Sequence, residues 1–80
     1  MKRHELKILP EYFVPVAEER KTFEIRKNDR DFKEGDIVVL KEWNGIYTGR
    51  EIEAVITFIT DYEQKEGYVV FSIELINKFL

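Results

Sequence analysis

Chemistry-bearing side chains are densest in Lys21-Thr22-Phe23-Glu24-Ile25-Arg26, where two cations flank one carboxylate. In extended chain Glu24 and Arg26 share a face, about 7 Å apart along the backbone. Lys21 has the opposite parity but stands at the start of the stretch, where the chain need not be extended. In one reading the cations meet phosphate or carbonyl groups, and Glu24 accepts from an amino or hydroxyl group of a base or ribose. In the other, the three residues form a solvated ion pair worth about 0–1 kcal/mol.

Further polar residues follow in Asn28-Asp29-Arg30-Asp31. Asn28 and Arg30 are candidate ligand contacts, because binding residues concentrate on loops of a rigid scaffold. The competing role, favoured for Asp29 and Asp31, is turn chemistry, in which Asn and Asp bond their own backbone. Tyr47, Thr48 and Arg50 offer a ring, a hydroxyl and a cation, the groups that hold single-stranded bases. Tyr47 can equally pack on a rim, and Trp43 reads as packing. His4 is a minor candidate for the same cleft. One histidine and no cysteine leave no metal site to expect. Neither a Gly-rich phosphate loop nor a Ser/His/Asp or Cys/His set is present, so no cofactor and no standard nucleophile are expected.

These residues must be positioned by short elements. His4 to Leu9 alternates, with Leu6 and Ile8 on one side, as a half-buried strand does. Pro10 suits a first helical position. Residues 11–19 place Tyr12, Phe13, Val16 and Ala17 on one face, and Pro15 makes this helix short or kinked. Lys21 to Lys27 reads as a second strand, with Thr22, Glu24 and Arg26 on one face and Phe23 and Ile25 on the other. Gly35-Asp36 turns into a third strand, Ile37 to Trp43, apolar on both faces and therefore interior. Asn44-Gly45 is a turn signal. Glu51 to Thr60 is a fourth strand, lined by Ile52, Ala54, Ile56 and Phe58, and Tyr68 to Ile76 is a fifth. The expected core is Leu6, Ile8, Phe23, Ile25, Val39, Ile56, Val69 and Phe71. The fold class is mainly β with one short helix: an antiparallel barrel of roughly five to six strands, plugged by the helix.

Eighty residues form one domain, 1–80, and a chain this short buries only about 60–65% of its unfolded surface. Apolar packing must hold it, and 44% hydrophobic residues, including six Phe and four Tyr, supply that. The first residues, Met1-Lys2-Arg3-His4-Glu5-Leu6, have no apolar stretch behind their basic side chains and predict no signal peptide. No run approaches the roughly 20 apolar residues of a membrane span, so the expected location is cytoplasmic with no membrane partner. The net charge of −3 argues against a protein that coats phosphates indiscriminately. Residues 1–33 hold nine Lys/Arg against seven Asp/Glu, and residues 34–80 hold four against nine. An anion site therefore belongs to the first half.

Lys21-Thr22-Phe23-Glu24-Ile25-Arg26 followed by Gly35-Asp36-Ile37-Val38 resembles the signature of the ASCH domain family, of the PUA-like superfamily. His4 to Leu9, Lys27 to Phe32, Tyr47 to Arg50 and Gly67 to Val70 are similar to a bacterial and phage subgroup of small, functionally uncharacterised members. The resemblance runs from His4 to about Ile73. It implies a PUA-like β-barrel with a cleft near the helix and the Lys…Glu-x-Arg strand, and RNA-related roles. Some ASCH members are similar to amidohydrolases of acylated cytidine, which use a Lys, a Thr three residues on and a distant Glu. Here Lys21 matches but Glu24 stands in place of the Thr, so that activity does not carry over.

The leading expectation is a non-catalytic module that binds RNA or a modified nucleotide in a cleft of Lys21, Glu24, Arg26 and Arg30. The first alternative is a small hydrolase, an amidohydrolase or ribonuclease, using Lys21 and Glu24. The second is a protein-interaction accessory module, which the acidic second half would suit.

Overall fold

In the computed structural model, which describes residues 1–79, five strands and one helix follow in the order β1 (Arg3–Ile8), α1 (Pro10–Ala17), β2 (Phe23–Lys27), β3 (Ile37–Trp43), β4 (Tyr47–Thr60) and β5 (Tyr68–Phe79). The strands make one sheet in the order β1-β3-β4-β5-β2. The sheet curls into a half-barrel, in agreement with the mainly β expectation. It does not close, because β1 and β2 form its two edges and pair with other strands. Three of the four pairings are antiparallel; β1 runs parallel to β3, with Leu6 opposite Leu40. A parallel neighbour needs a long crossover, and the chain supplies one: α1 and β2 lie between β1 and β3.

The helix is short for reasons visible in its residues. Pro10 occupies the first position, and Pro15 withholds a backbone N–H from an element of only eight residues. Phe13 and Val16 are fully buried and plug the curl. They meet Leu6, Ile8, Leu40, Ile52 and Phe71 in a continuous core. At the C-terminus Glu19 N–H donates to the Val16 carbonyl (2.9 Å) and Arg20 N–H to the Pro15 carbonyl (2.9 Å). This is the pair of hydrogen bonds that closes helices through a left-handed residue. That residue is Glu19, at φ 60°, where glycine is the usual occupant.

Two expectations about side-chain direction are corrected. Phe23 and Ile25 are not core: they are 44% and 55% exposed, whereas Glu24 between them is 4% exposed. β2 pairs Glu24 with Phe71 of β5, and directly opposed residues in an antiparallel pair point to the same face. Glu24 therefore points into the curl with Phe71. Alternation fixes that two faces exist, not which one turns inward, and here the carboxylate brings its own cations inward. Phe58 also leaves the expected inner row and is exposed. The register shifts between Ile56 and Phe58, so Thr57 is an extra residue in β4. A bulge of this kind reverses the parity beyond it, and Ile59 packs against the core instead.

The helix end yields a stability prediction. A left-handed residue bearing a Cβ costs about 1–2 kcal/mol, partly offset by the greater chain entropy of glycine in the unfolded state. Glu19→Gly should therefore stabilise the protein by about 0.5–1 kcal/mol in urea denaturation. Unchanged or lowered stability would mean that the Glu19 side chain contributes more than its backbone strain costs.

Candidate functional site

Along the open edge of the half-barrel, the first residues of β2 face the last residues of β1 and the start of α1. Glu24 is the centre of this seam. Its Oε1 accepts from Arg26 Nε (2.9 Å) and Nη2 (2.7 Å), and its Oε2 accepts from Lys21 Nζ (2.5 Å). Lys21 Nζ also donates to the Phe23 carbonyl (2.6 Å) and lies 4.7 Å from the Phe23 ring centre and 5.6 Å from that of Tyr12. Arg26 Nη2 reaches across the gap to the Lys7 carbonyl (2.9 Å). The cluster thus holds two cations on one buried carboxylate, and one guanidinium ties the two sheet edges together. Among the described residues, Lys21 keeps one ammonium N–H uncommitted and Arg26 keeps both at Nη1.

Two grooves open on this seam and share Lys7 and Arg26. The first, of about 480 Å³, has apolar and aromatic walls: Ile8, Leu9, Tyr12, Phe23 and Ile25 around the Glu24 cluster. The second, of about 590 Å³, is polar and includes Lys27, Arg30, Lys41 and Tyr47. Together they carry six basic side chains (Lys7, Lys21, Arg26, Lys27, Arg30, Lys41) against three acidic ones (Glu5, Glu24, Asp29), an excess of three positive charges. The chain as a whole carries −3. The seam is a cationic stripe on an acidic protein.

Of the residues singled out from the sequence, Lys21, Glu24 and Arg26 meet in one cluster, and Arg30 and Tyr47 line the adjoining groove. The others have structural work. Asn28 Oδ1 accepts from Phe32 N–H (2.9 Å) and closes its loop. His4 is buried; its Nε2 donates to Asp36 Oδ2 (2.8 Å) and its ring meets Phe32 edge-on. Arg50 binds Glu42 through Nε (2.9 Å) and Nη2 (2.8 Å) and lies over the Phe13 ring, and Thr48 donates to the same carboxylate (2.7 Å). The hydrogen bond from Arg50 outweighs burial and holds the Glu42 carboxyl below its ordinary range. Among the described residues lining these two grooves, neither His4 nor Arg50 is present. Tyr12, Lys7, Lys27 and Lys41 line the seam without having been singled out. The helical spacing puts Tyr12 on one face with Phe13 and Val16, yet it is 47% exposed. The three lysines are outward residues of strands whose pairing partners no sequence pattern names.

Fold and site define a small, curled β half-barrel with a cation-lined groove along its open edge. The chain belongs to the family described as a domain of unknown function, DUF3850, which matches residues 3–73. It is also 45% identical, over 71 residues, to an uncharacterised 12.9 kDa protein in the GpA 3′ region of Escherichia phage P2. That alignment takes in 86% of this chain and 65% of the relative, so the chain spans just under two thirds of the phage protein's length. The family match includes every residue of the two grooves. No helix among the described residues is long and apolar enough to cross a membrane.

The His4–Asp36 pair supplies a pH prediction. Burial pushes the Asp36 carboxyl up, but the His4 hydrogen bond, the backbone N–H groups of Lys2 and Lys33 and the charge of His4 outweigh it, bringing it from 3.8 down to about 2. A folded-state value below the unfolded one gives stability that is fully present above about 3.8 and is lost as pH falls through about 2. The contribution at neutral pH is on the order of 2 kcal/mol. In urea denaturation across a pH series, Asp36→Asn should be less stable than wild type at neutral pH, and the gap should close over that acidic window. Curves that stay parallel through it would sever the link to Asp36.

Proposed function

We propose that this domain is an ASCH/PUA-like, cytoplasmic module that binds RNA or a nucleotide-like ligand along the β1–β2 seam without turning it over. The observation that carries this reading is the reversal of charge. A protein with a net negative charge gathers an excess of three positive charges on one stripe, beside exposed aromatic side chains at Tyr12 and Phe23. Cations with uncommitted N–H groups suit phosphate and base acceptors, and aromatic faces suit unstacked bases. The resemblance of the Lys21…Glu24-x-Arg26 strand to the ASCH signature supports the same reading.

Glu24 takes a more specific part than that of a free acceptor. Both of its oxygens are engaged by cations, so its main work is to hold Lys21 and Arg26 at the groove. Oε2 retains room for one further donor from a base or ribose. A hydrolytic role for Lys21 and Glu24 has less support. The first groove has no Ser, Thr, Cys or His among its lining residues, and the carboxylate that would move a proton is committed to two cations. The purified protein should therefore leave N4-acylated cytidine intact. Steady release of the acyl group, abolished by Lys21→Ala, would make the hydrolase the better reading.

The binding reading is tested with short single-stranded RNAs and free nucleosides across a salt series, measured by fluorescence anisotropy and calorimetry. Each phosphate contact on a single strand adds about 0.7 to the logarithmic salt slope, so two or three contacts give roughly 1.5–2. Arg26→Ala should weaken binding and flatten the slope by about one contact. Glu24→Gln separates two accounts. Simple attraction to phosphate predicts tighter binding when a negative charge is removed, whereas a carboxylate that positions two cations predicts weaker binding, which is the expected result. If wild type binds none of these ligands at micromolar protein, or all three proteins bind alike, the seam cluster is only an ion pair that closes the fold.

A further inference from the structure

The seam is divided, and the division has consequences for what it can hold. Its first groove is walled by Tyr12, Phe23, Ile25 and Leu9, and the charged groups on its lining are the Glu24 cluster and Lys7. Its volume of about 480 Å³ lies within the roughly 300–1,000 Å³ of pockets that take one small ligand. The second groove lacks that apolar wall. It gathers Lys27, Arg30 and Lys41 beside the shared Lys7 and Arg26, with only Glu5 and Asp29 in opposition. Lys41 Nζ is 5.1 Å from the centre of the Tyr47 ring. Phe23 in the first groove and Lys27 in the second are four residues apart on β2, about 13 Å. A ring filling the first groove cannot also satisfy the cations of the second.

Building on the binding reading above, we infer that the ligand is a single-stranded RNA segment of more than one nucleotide, with one unstacked base in the apolar groove and its flanking phosphates over the cationic groove. Arg26 stands at the junction. Its Nε and Nη2 are committed to Glu24 and Lys7, so Nη1 is the donor left for the phosphate between the two subsites. Base recognition is tolerant of sequence. The carboxylate able to read a base edge is largely occupied by its own cations, and stacking on Tyr12 or Phe23 favours no one base. A duplex is a poor fit, since its bases are stacked inside and cannot enter the groove.

Three ligands decide the matter: a ribonucleoside monophosphate, a single-stranded RNA trinucleotide and a blunt RNA duplex, each titrated against wild type, Arg30→Ala and Tyr12→Ala. Both substituted side chains are exposed, and circular dichroism verifies the fold of each variant. The trinucleotide should bind about tenfold tighter than the monophosphate, the ratio that one or two added phosphate contacts provide. Arg30→Ala should weaken the trinucleotide several-fold and lower its salt slope by about 0.7, a larger loss than the same variant shows for the monophosphate. Tyr12→Ala should weaken both by about fivefold or more. Equal binding of monophosphate and trinucleotide, or a duplex that binds as well as the single strand, would overturn the two-groove assignment while leaving the nucleotide-binding reading intact. Failure of all three ligands would remove both.

Discussion

The structure turns on one buried carboxylate. Glu24 lies where the curl of the sheet runs out, on an edge strand with no partner on its free side. An ionised carboxylate there is costly unless its charge and lone pairs are answered. Lys21 answers one oxygen and Arg26 the other. Arg26 then uses its remaining reach to bond the Lys7 carbonyl on the opposite edge. The clasp turns β2 inside out, displaces Phe23 and Ile25 to the surface and ties together two edges that no backbone ladder joins.

The same arrangement recurs at two other buried acids. Asp36 is met by His4 and two backbone N–H groups, and Glu42 by Arg50 and Thr48. No buried side-chain polar atom among the described residues lacks a partner. Such pairs contribute little net stability compared with apolar packing, but each is expensive to break. Their effect is to fix geometry: Asp36 pins the turn into β3 against β1, and Glu42 fastens the start of β4 and, through Arg50, the ring of Phe13. Among the described residues, the Glu24 clasp opens on the seam grooves, whose linings include neither Asp36 nor Glu42. That separates a cluster that can meet a ligand from two that hold the chain together.

What the sequence made legible follows from what local patterns can encode. The alternation in β1 and β5 and the apolar run in β3 identify strands and inner faces correctly, because apolar side chains there have no competing reason to face out. Pro10 marks the start of the helix correctly, and Pro15 inside it goes with an element of only eight residues. The pattern misleads at β2, where Phe23 and Ile25 look like core. Alternation is symmetric between faces, and the choice was made by an ion cluster whose partners lie outside the strand. Phe58 misleads because a single extra residue in β4 reverses parity and leaves no mark in composition. Tyr12 is hidden for a third reason: it falls at the margin of the helical face, and only the position of β2 decides that this margin is the wall of a groove. Lys21, Glu24 and Arg26 are legible as a group and as an ion pair; that the carboxylate is buried, and that Arg26 carries the pair across to the Lys7 carbonyl, is not.

Cations along an open sheet edge answer to either of two demands, edge protection or ligand binding, and charge by itself does not tell them apart. Exposed sheet edges invite pairing with other chains, and lysines on the edge discourage it. Lys7 and Lys27 sit on the two edge strands and would serve that end with no ligand present. Edge protection, however, gives no reason to place an exposed tyrosine and phenylalanine beside the cations, since apolar rings at an edge promote the very association that charge prevents. Nor does it call for a carboxylate that gathers two cations beneath a groove of about 480 Å³. The aromatic walls raise the cost of leaving the groove to water, and the clasp holds donors at its floor. A ligand with a flat ring and a negative charge relieves both. The association of rings with cations, more than the number of cations, favours a binding site over a guarded edge.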